Sequence, residues 1–340
     1  MNPSPTRLTT LDALRGIAAL SVCWYHFTNG NPDFLPASIL KSSGHYGWLG
    51  VEIFFVISGF IIPYALQRSS YRISDYGTFI LKRIIRLDPP YLVAILIVIA
   101  LEYVSMARPG FNGPAFHFSF VQLVLHLGYV NVFFGYPWLN PVFWTLAIEL
   151  QYYLLVGLLF PIIAHGSLIV RTFSFACMAS LAFSFDAERF LFHWLFLFML
   201  GMVAFQFRAG IHQRTQFLLW VVLLGLGAWY VNGGVIAMTA VATALLLGLF
   251  EAGIKHPFLF FGHISYSLYL LHVPIGGRVI NLSLRCVHTM PGKCVVLVLA
   301  LAVSTAASWL LHRFVERPAQ EWSSRIRYRK KQTVPSTCNP

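Results

Sequence analysis

Long apolar runs divide this chain, and each must close its backbone hydrogen bonds without help from water. In hydrocarbon an open sheet edge or a lipid-exposed irregular loop leaves peptide groups unpaired, so such runs become helices. About 20 apolar residues cross a bilayer core. Runs of that kind lie near 11–29, 49–67, 90–107, 141–164, 169–185, 190–207, 216–231, 235–251, 258–276 and 294–312. Charged residues make up only 11% of the 340, where a soluble domain carries about 25%. The expected fold is therefore all-α and polytopic, with about ten transmembrane helices and no second soluble domain of ordinary size. The first run holds Arg15 and His26, unlike the unbroken core of a cleavable signal, and reads as a retained helix. A further apolar stretch, 118–136, carries Gln122, His126 and Asn131 and breaks at Gly135 and Pro137. It reads as an interfacial or re-entrant segment.

Ten crossings put both termini on one side, and basic residues decide which. With the N-terminus inside, the outer segments hold six of the 24 basic residues, namely Lys41, Arg108, Arg189, Arg278, Arg285 and Lys293. The rest fall inside, which supports an N-in/C-in arrangement. The net charge of +12 thus serves topology and contact with anionic lipid, and nucleic acid is not an expected partner. No CxxC pair, Walker-type loop, GxGxxG or HExxH occurs, so metal and nucleotide-cofactor chemistry have no signal. Cys286 and Cys294 are placed to pair only if their loop meets an oxidising compartment.

Polar residues inside apolar helices are functional candidates. Arg15 and His26 are eleven residues apart, so they share one helix face, about 16.5 Å apart along the axis. They form two ends of a polar path. Arg83 and Arg86 lie at a spacing of three, just before Pro89-Pro90. An interfacial amphipathic helix, with Ile80, Ile84 and Leu87 on lipid, accounts for that spacing. So does a guanidinium pair that grips phosphates. Glu52 and Glu149 are acids within apolar runs, and each needs a partner. Ser265, Tyr269 and His272 make a third polar stripe at i, i+4, i+7.

Six pieces carry a resemblance. They are Leu11-Asp-Ala-Leu-Arg15-Gly-Ile-Ala-Ala with His26; Phe54-Phe-Val-Ile-Ser58-Gly-Phe60; Arg83-Ile-Ile-Arg86; Trp144-Thr-Leu-Ala-Ile-Glu149; Ile264-Ser-Tyr-Ser-Leu-Tyr-Leu-Leu-His272-Val-Pro274; and Val315-Glu-Arg-Pro318. In this order the chain resembles the acyltransferase-3 family, membrane proteins that O-acylate sugars of polysaccharides, lipopolysaccharide and related glycans. Thr145 stands where that family commonly has serine, and the hydroxyl survives. The resemblance implies a membrane domain over 8–318 followed by a basic cytoplasmic tail, 319–340.

It also implies a multi-pass protein of a bacterial inner membrane that moves an acyl group from cytoplasmic acyl-CoA to a glycan or lipid-linked sugar. Acetyl or another short acyl group is the expected cargo, and acyl-CoA enters as co-substrate rather than as a bound cofactor. His26, Arg15 and Glu149 become the expected catalytic residues, His26 as general base. Arg83, Arg86, Ser58, Tyr269 and His272 become the expected substrate-binding residues. Ser58 is also open to a reading as an acyl-enzyme nucleophile, or with Gly59 as a close-packing site. The competing reading is a transporter or sensor for an anionic or lipid-linked solute.

Overall fold

A computed structural model describes residues 9–107, 115–185, 187–250 and 257–328, and among these every regular element is helical. Arg7, Arg108, Lys255 and the basic tail from 329 onward lie outside the described residues. The helices are α1 (Thr9–Asn29), α2 (Ile39–Ser43), α3 (Gly50–Arg68), α4 (Tyr76–Met106), α5 (Phe120–Leu127), α6 (Trp144–His165) and α7 (Leu168–Ser184). They continue with α8 (Leu191–Arg208), α9 (Arg214–Asn232), α10 (Gly234–Leu249), α11 (Pro257–Leu271), α12 (Arg278–Ser283), α13 (Met290–Leu311) and α14 (Arg317–Arg325). Seven helical segments are long and apolar enough to cross a membrane, and α7 and α10 are shorter apolar helices. This is a multi-pass membrane protein. Helix α1, which carries Asp12 and Arg15, falls outside those seven.

Helix α8 forms the centre. Leu195 through Phe205 are all buried, and α3, α6, α9 and α10 surround them. Tyr152 of α6 stacks on Phe198 at 4.2 Å, and Phe55 of α3 lies 5.0 Å from the same ring. Lipid attracts apolar side chains as well as a neighbouring helix does, so close approach has to come from small residues. Gly59 and Gly201 provide it: a Cβ on Gly201 would meet Gly59 C at 2.8 Å and Phe60 N at 2.7 Å. A second seam joins α1 to α11, where a Cβ on Gly16 would collide with Phe258 O and one on Gly262 with Asp12 O.

Helix α4 departs from the expected break before Pro89-Pro90. It runs unbroken for 31 residues with both prolines inside. Proline keeps helical φ while removing a donor, and membrane helices tolerate that loss. One face of α4 behaves as an interfacial helix would, with Leu81 and Ile84 exposed. Its other face packs inward, including Ile80 and Leu87. The stretch 118–136 does not cross. It holds the eight residues of α5 and a 3-10 turn over Asn131–Phe134, and eight residues rise only about 12 Å. The first part of the expected tail is a docked helix. Ser323 of α14 donates to Lys82 O at 2.8 Å, and Lys82 Nζ donates to Ile326 O at 2.6 Å.

The glycine seam of α3 and α8 makes a measurable demand. Gly201→Ala should lower the thermal midpoint in detergent, at a cost of about 1–3 kcal/mol from overpacking. Gly77→Ala, at a helical position with nothing within 4 Å, should leave the midpoint unchanged or slightly raised. Equal midpoints for both variants would contradict the seam.

Candidate active site

The α1–α11 seam sets two histidines side by side. Gly16 precedes His26 by ten residues, and Gly262 precedes His272 by ten. Ten residues rise about 15 Å on each helix. Two parallel helices that touch at their glycines therefore bring the histidines level. The rings of His26 and His272 are 5.1 Å apart between centroids. Helix α11 ends at this point, and His272–Gly277 is wound as a π-helix, a local widening common at functional sites.

A cavity of about 340 Å³ opens beside the first turns of α1, lined by Arg15, Arg83, Arg86, Ser58, Glu149 and Glu316 among others. Arg83 lies 5.4 Å from the Phe79 ring and 5.7 Å from that of Tyr153, so aromatic faces hold the guanidinium in place. Ser58 Oγ donates to Glu149 Oε1 at 2.8 Å. Glu316 accepts from Ser267 Oγ at 2.6 Å and from Gln320 Nε2 at 2.8 Å, and His312 Nδ1 lies 3.1 Å away. The ion pairs among the described residues do not include Arg15, Arg83, Arg86 or Glu149. Three guanidiniums thus line one cavity, a charge and donor set that suits a phosphate-bearing ligand.

His26 lines a second cavity, of about 740 Å³, with Asn31, Glu102, Asn140, Arg278 and Arg285. Arg278 bonds Ser105 Oγ and, at 2.6 Å, Glu102 Oε1, which ties α4 to α12. Asn31 Nδ2 donates to Asn281 Oδ1 at 2.7 Å. Between the two cavities stand Tyr269 and His272. Tyr269 lines the arginine cavity, its hydroxyl 2.9 Å from Thr145 Oγ1, and its ring is 5.9 Å from His272.

Seven of the eight residues expected at the site from the sequence therefore reach one cavity or the other, Arg15 the first and His26 the second. His272 is fully buried and is enclosed between the two cavities rather than lining either. Glu52 is buried at the start of α3. Sequence reasoning missed Asp12, Tyr153, Tyr266 and Gln320 of the arginine cavity, and Asn31, Glu102 and Arg278 of the other. It quoted Glu316 but gave it no role. Glu316 turns inward at the end of a π-helical turn, His312–Glu316, which ordinary helical periodicity does not anticipate. Cys286 and Cys294 are free thiols.

The sequence profile of the family described as "Acyltransferase domain" matches residues 8–313. The chain belongs to this family. Among the relatives of this acyltransferase-family chain is the O-acetyltransferase OatA of Staphylococcus aureus, 32% identical over 171 residues. That match covers 48% of this chain and 26% of OatA, so the chain spans about a quarter of that relative's length. A Komagataeibacter xylinus protein, BcsY, whose name describes a membrane-bound transacylase, is 29% identical over 192 residues, 52% of this chain and 44% of its own. No solved structure matches the chain.

The non-crossing segment around α5 is tied to the wall of the histidine cavity through His126. Leu139 N donates to His126 Nε2 at 3.1 Å, which leaves Nδ1 to carry the proton, 2.8 Å from Gln122 O. Leu139 and Asn140 line the cavity, and Asn140 Nδ2 donates to Leu270 O at 3.0 Å. Burial pushes the His126 imidazole below its ordinary 6.5. The unfolded segment therefore takes up a proton at higher pH than the folded one does. The stability this ring gives is complete above pH 6.5 and is lost as pH falls below it. Exchange of the 119–131 amides, corrected for intrinsic rates, should quicken below pH 6.5 by up to about tenfold per pH unit. His126→Gln should abolish that slope, and an unchanged slope in this variant would refute the assignment.

Proposed function

We propose that this protein is a membrane O-acyltransferase that moves a short acyl group, acetyl foremost, from acyl-CoA on the inner side to a hydroxyl of a glycan or lipid-linked sugar on the outer side. One observation carries the reading: three arginines that make no ion pair among the described residues line one cavity, His26 lines another, and the Tyr269 and His272 rings connect the two. Counting α1, α7 and α10 as crossings gives ten, with both termini inside, and puts the arginine cavity at the inner face. A bacterial inner membrane is the setting this reading assigns.

The chemistry follows from the two cavities. Arg15, Arg83 and Arg86 bind the donor's phosphates, and the acyl arm extends along Val51, Phe54 and Leu146 toward Tyr269. His26 accepts the proton of the acceptor hydroxyl while its oxygen attacks the thioester carbonyl. The carbon–sulfur bond breaks, and the thiolate leaves with a proton returned from the imidazolium. An imidazole can take up one proton and return it, as both transfers require. Glu149 holds Ser58 in this reading, and Glu316 is a counter-charge fixed by Ser267, His312 and Gln320.

The test uses the whole chain in nanodiscs, labelled acetyl-CoA and a mixed glycan extract. His26→Ala should lose transfer by about 10²–10⁴ while retaining donor binding. Arg83→Ala should raise the donor KM about 10- to 100-fold, the effect expected of a charged hydrogen bond, with a smaller effect on kcat. Transfer by His26→Ala at the wild-type rate would contradict the assigned base. Neither transfer nor thioester hydrolysis by wild type, across several acyl donors, would favour transport of an anionic solute.

A further inference from the structure

His272 is wholly enclosed, and its hydrogen bonding leaves one nitrogen bare. Nδ1 lies 3.0 Å from Leu268 O. A carbonyl only accepts, so Nδ1 carries the proton and Nε2 presents a lone pair. That Nε2 is buried and has no hydrogen-bond partner. An unmet acceptor inside a protein is costly, so such an atom demands an account.

The environment of His272 narrows the choice of donor. Three rings surround it: His26 at 5.1 Å, Tyr269 at 5.9 Å and Phe27 at 6.4 Å. Phe27 has no proton to give, and the Tyr269 hydroxyl is engaged with Thr145 and Val142 O. No carboxylate among the described residues makes an ion pair with either histidine. His26 has an N–H in either neutral tautomer. Imidazoles whose centroids are about 5 Å apart bring nitrogens within hydrogen-bond reach by ring rotation alone.

We propose that His272 is a positioning residue for acyl transfer: its bare Nε2 accepts the N–H of His26 and thereby fixes which His26 nitrogen faces the acceptor hydroxyl. This rests on the reading of His26 as the base. A partner that accepts one N–H of a catalytic imidazole sets its tautomer and orientation and stabilises the imidazolium when it forms. A carboxylate often fills that role, and here a neutral imidazole fills it. The chain of contacts runs from the acceptor hydroxyl through His26 and His272 to Leu268 O, and the proton stays on His26 until the thiolate takes it. His272 thus acts through His26 and does not bind substrate.

Two variants in nanodiscs test this. In His272→Gln the side-chain amide oxygen can accept in place of Nε2 but cannot be protonated, so transfer should stay within about tenfold of wild type. His272→Phe keeps the bulk without an acceptor, and kcat should fall about 100-fold with the donor KM unchanged. Equal loss in both folded variants, or full activity in His272→Phe, would overturn the proposal. A third measurement needs neither turnover nor a variant. ¹⁵N solid-state NMR of histidine-labelled protein should show His26 as a single neutral tautomer with a hydrogen-bonded N–H, and a mixture of both would overturn the proposal. Absence of any turnover by wild type would count against the proposed function, while the spectrum would still decide the His26–His272 bond.

Discussion

The contact between α1 and α11 governs the arrangement of everything else. Two glycines let two backbones touch, Gly16 against Phe258 O and Gly262 against Asp12 O. From that fixed point the equal spacing to His26 and His272 brings the two rings together. The same seam sets Arg15 in the lining of the arginine cavity together with Ser265 and Tyr266 of the touching helix. Larger residues at either glycine would separate the helices, and the single wall between the cavities would part with them.

Charge inside an apolar bundle is the second constraint. An arginine at bilayer depth costs about 2.5–3.5 kcal/mol even on the lenient scale, and this cavity holds three. The usual relief, a carboxylate at contact distance, is not used by them among the described residues. Glu149 is engaged by Ser58, and Glu316 by Ser267, Gln320 and His312. Acids and arginines thus share one cavity without forming ion pairs among the described residues. Such a layout favours a ligand that brings its own negative charge. Around it the bundle is rigid where it has to be, through aromatic packing on α8 and close contact at Gly59 and Gly201.

Helical class and most of the apolar runs were legible in the sequence because hydrocarbon leaves the backbone few options. So was the shared face of Arg15 and His26, since eleven residues are close to three turns. Other features were hidden for physical reasons. Pro89-Pro90 looked like a boundary, yet α4 continues through both, because a membrane helix can lose two donors and keep its dihedrals. The π-helical turn over His312–Glu316 shifts Glu316 out of any 3.6-residue pattern, and a stripe drawn at i, i+4, i+7 could not tell a cavity-lining side chain from an enclosed one such as His272. Arg83 and Arg86 matched a lipid-surface helix equally well, and only the packing of α4 shows Arg83 against Tyr153. The histidine cavity draws Asn31, Glu102, Asn140 and Arg278 from four distant parts of the chain, a convergence with no local signature.

In the proposed reaction, donor and acceptor enter by separate cavities and meet at His26. Cryo-electron microscopy of the whole protein with a non-hydrolysable thioether analogue of acetyl-CoA tests it most directly. Phosphate density should lie against Arg15, Arg83 and Arg86, with the acyl end reaching past Tyr269 to within contact of His26. Phosphate density in the histidine cavity, or an acyl end that stops at Ser58 with His26 remote, would contradict it.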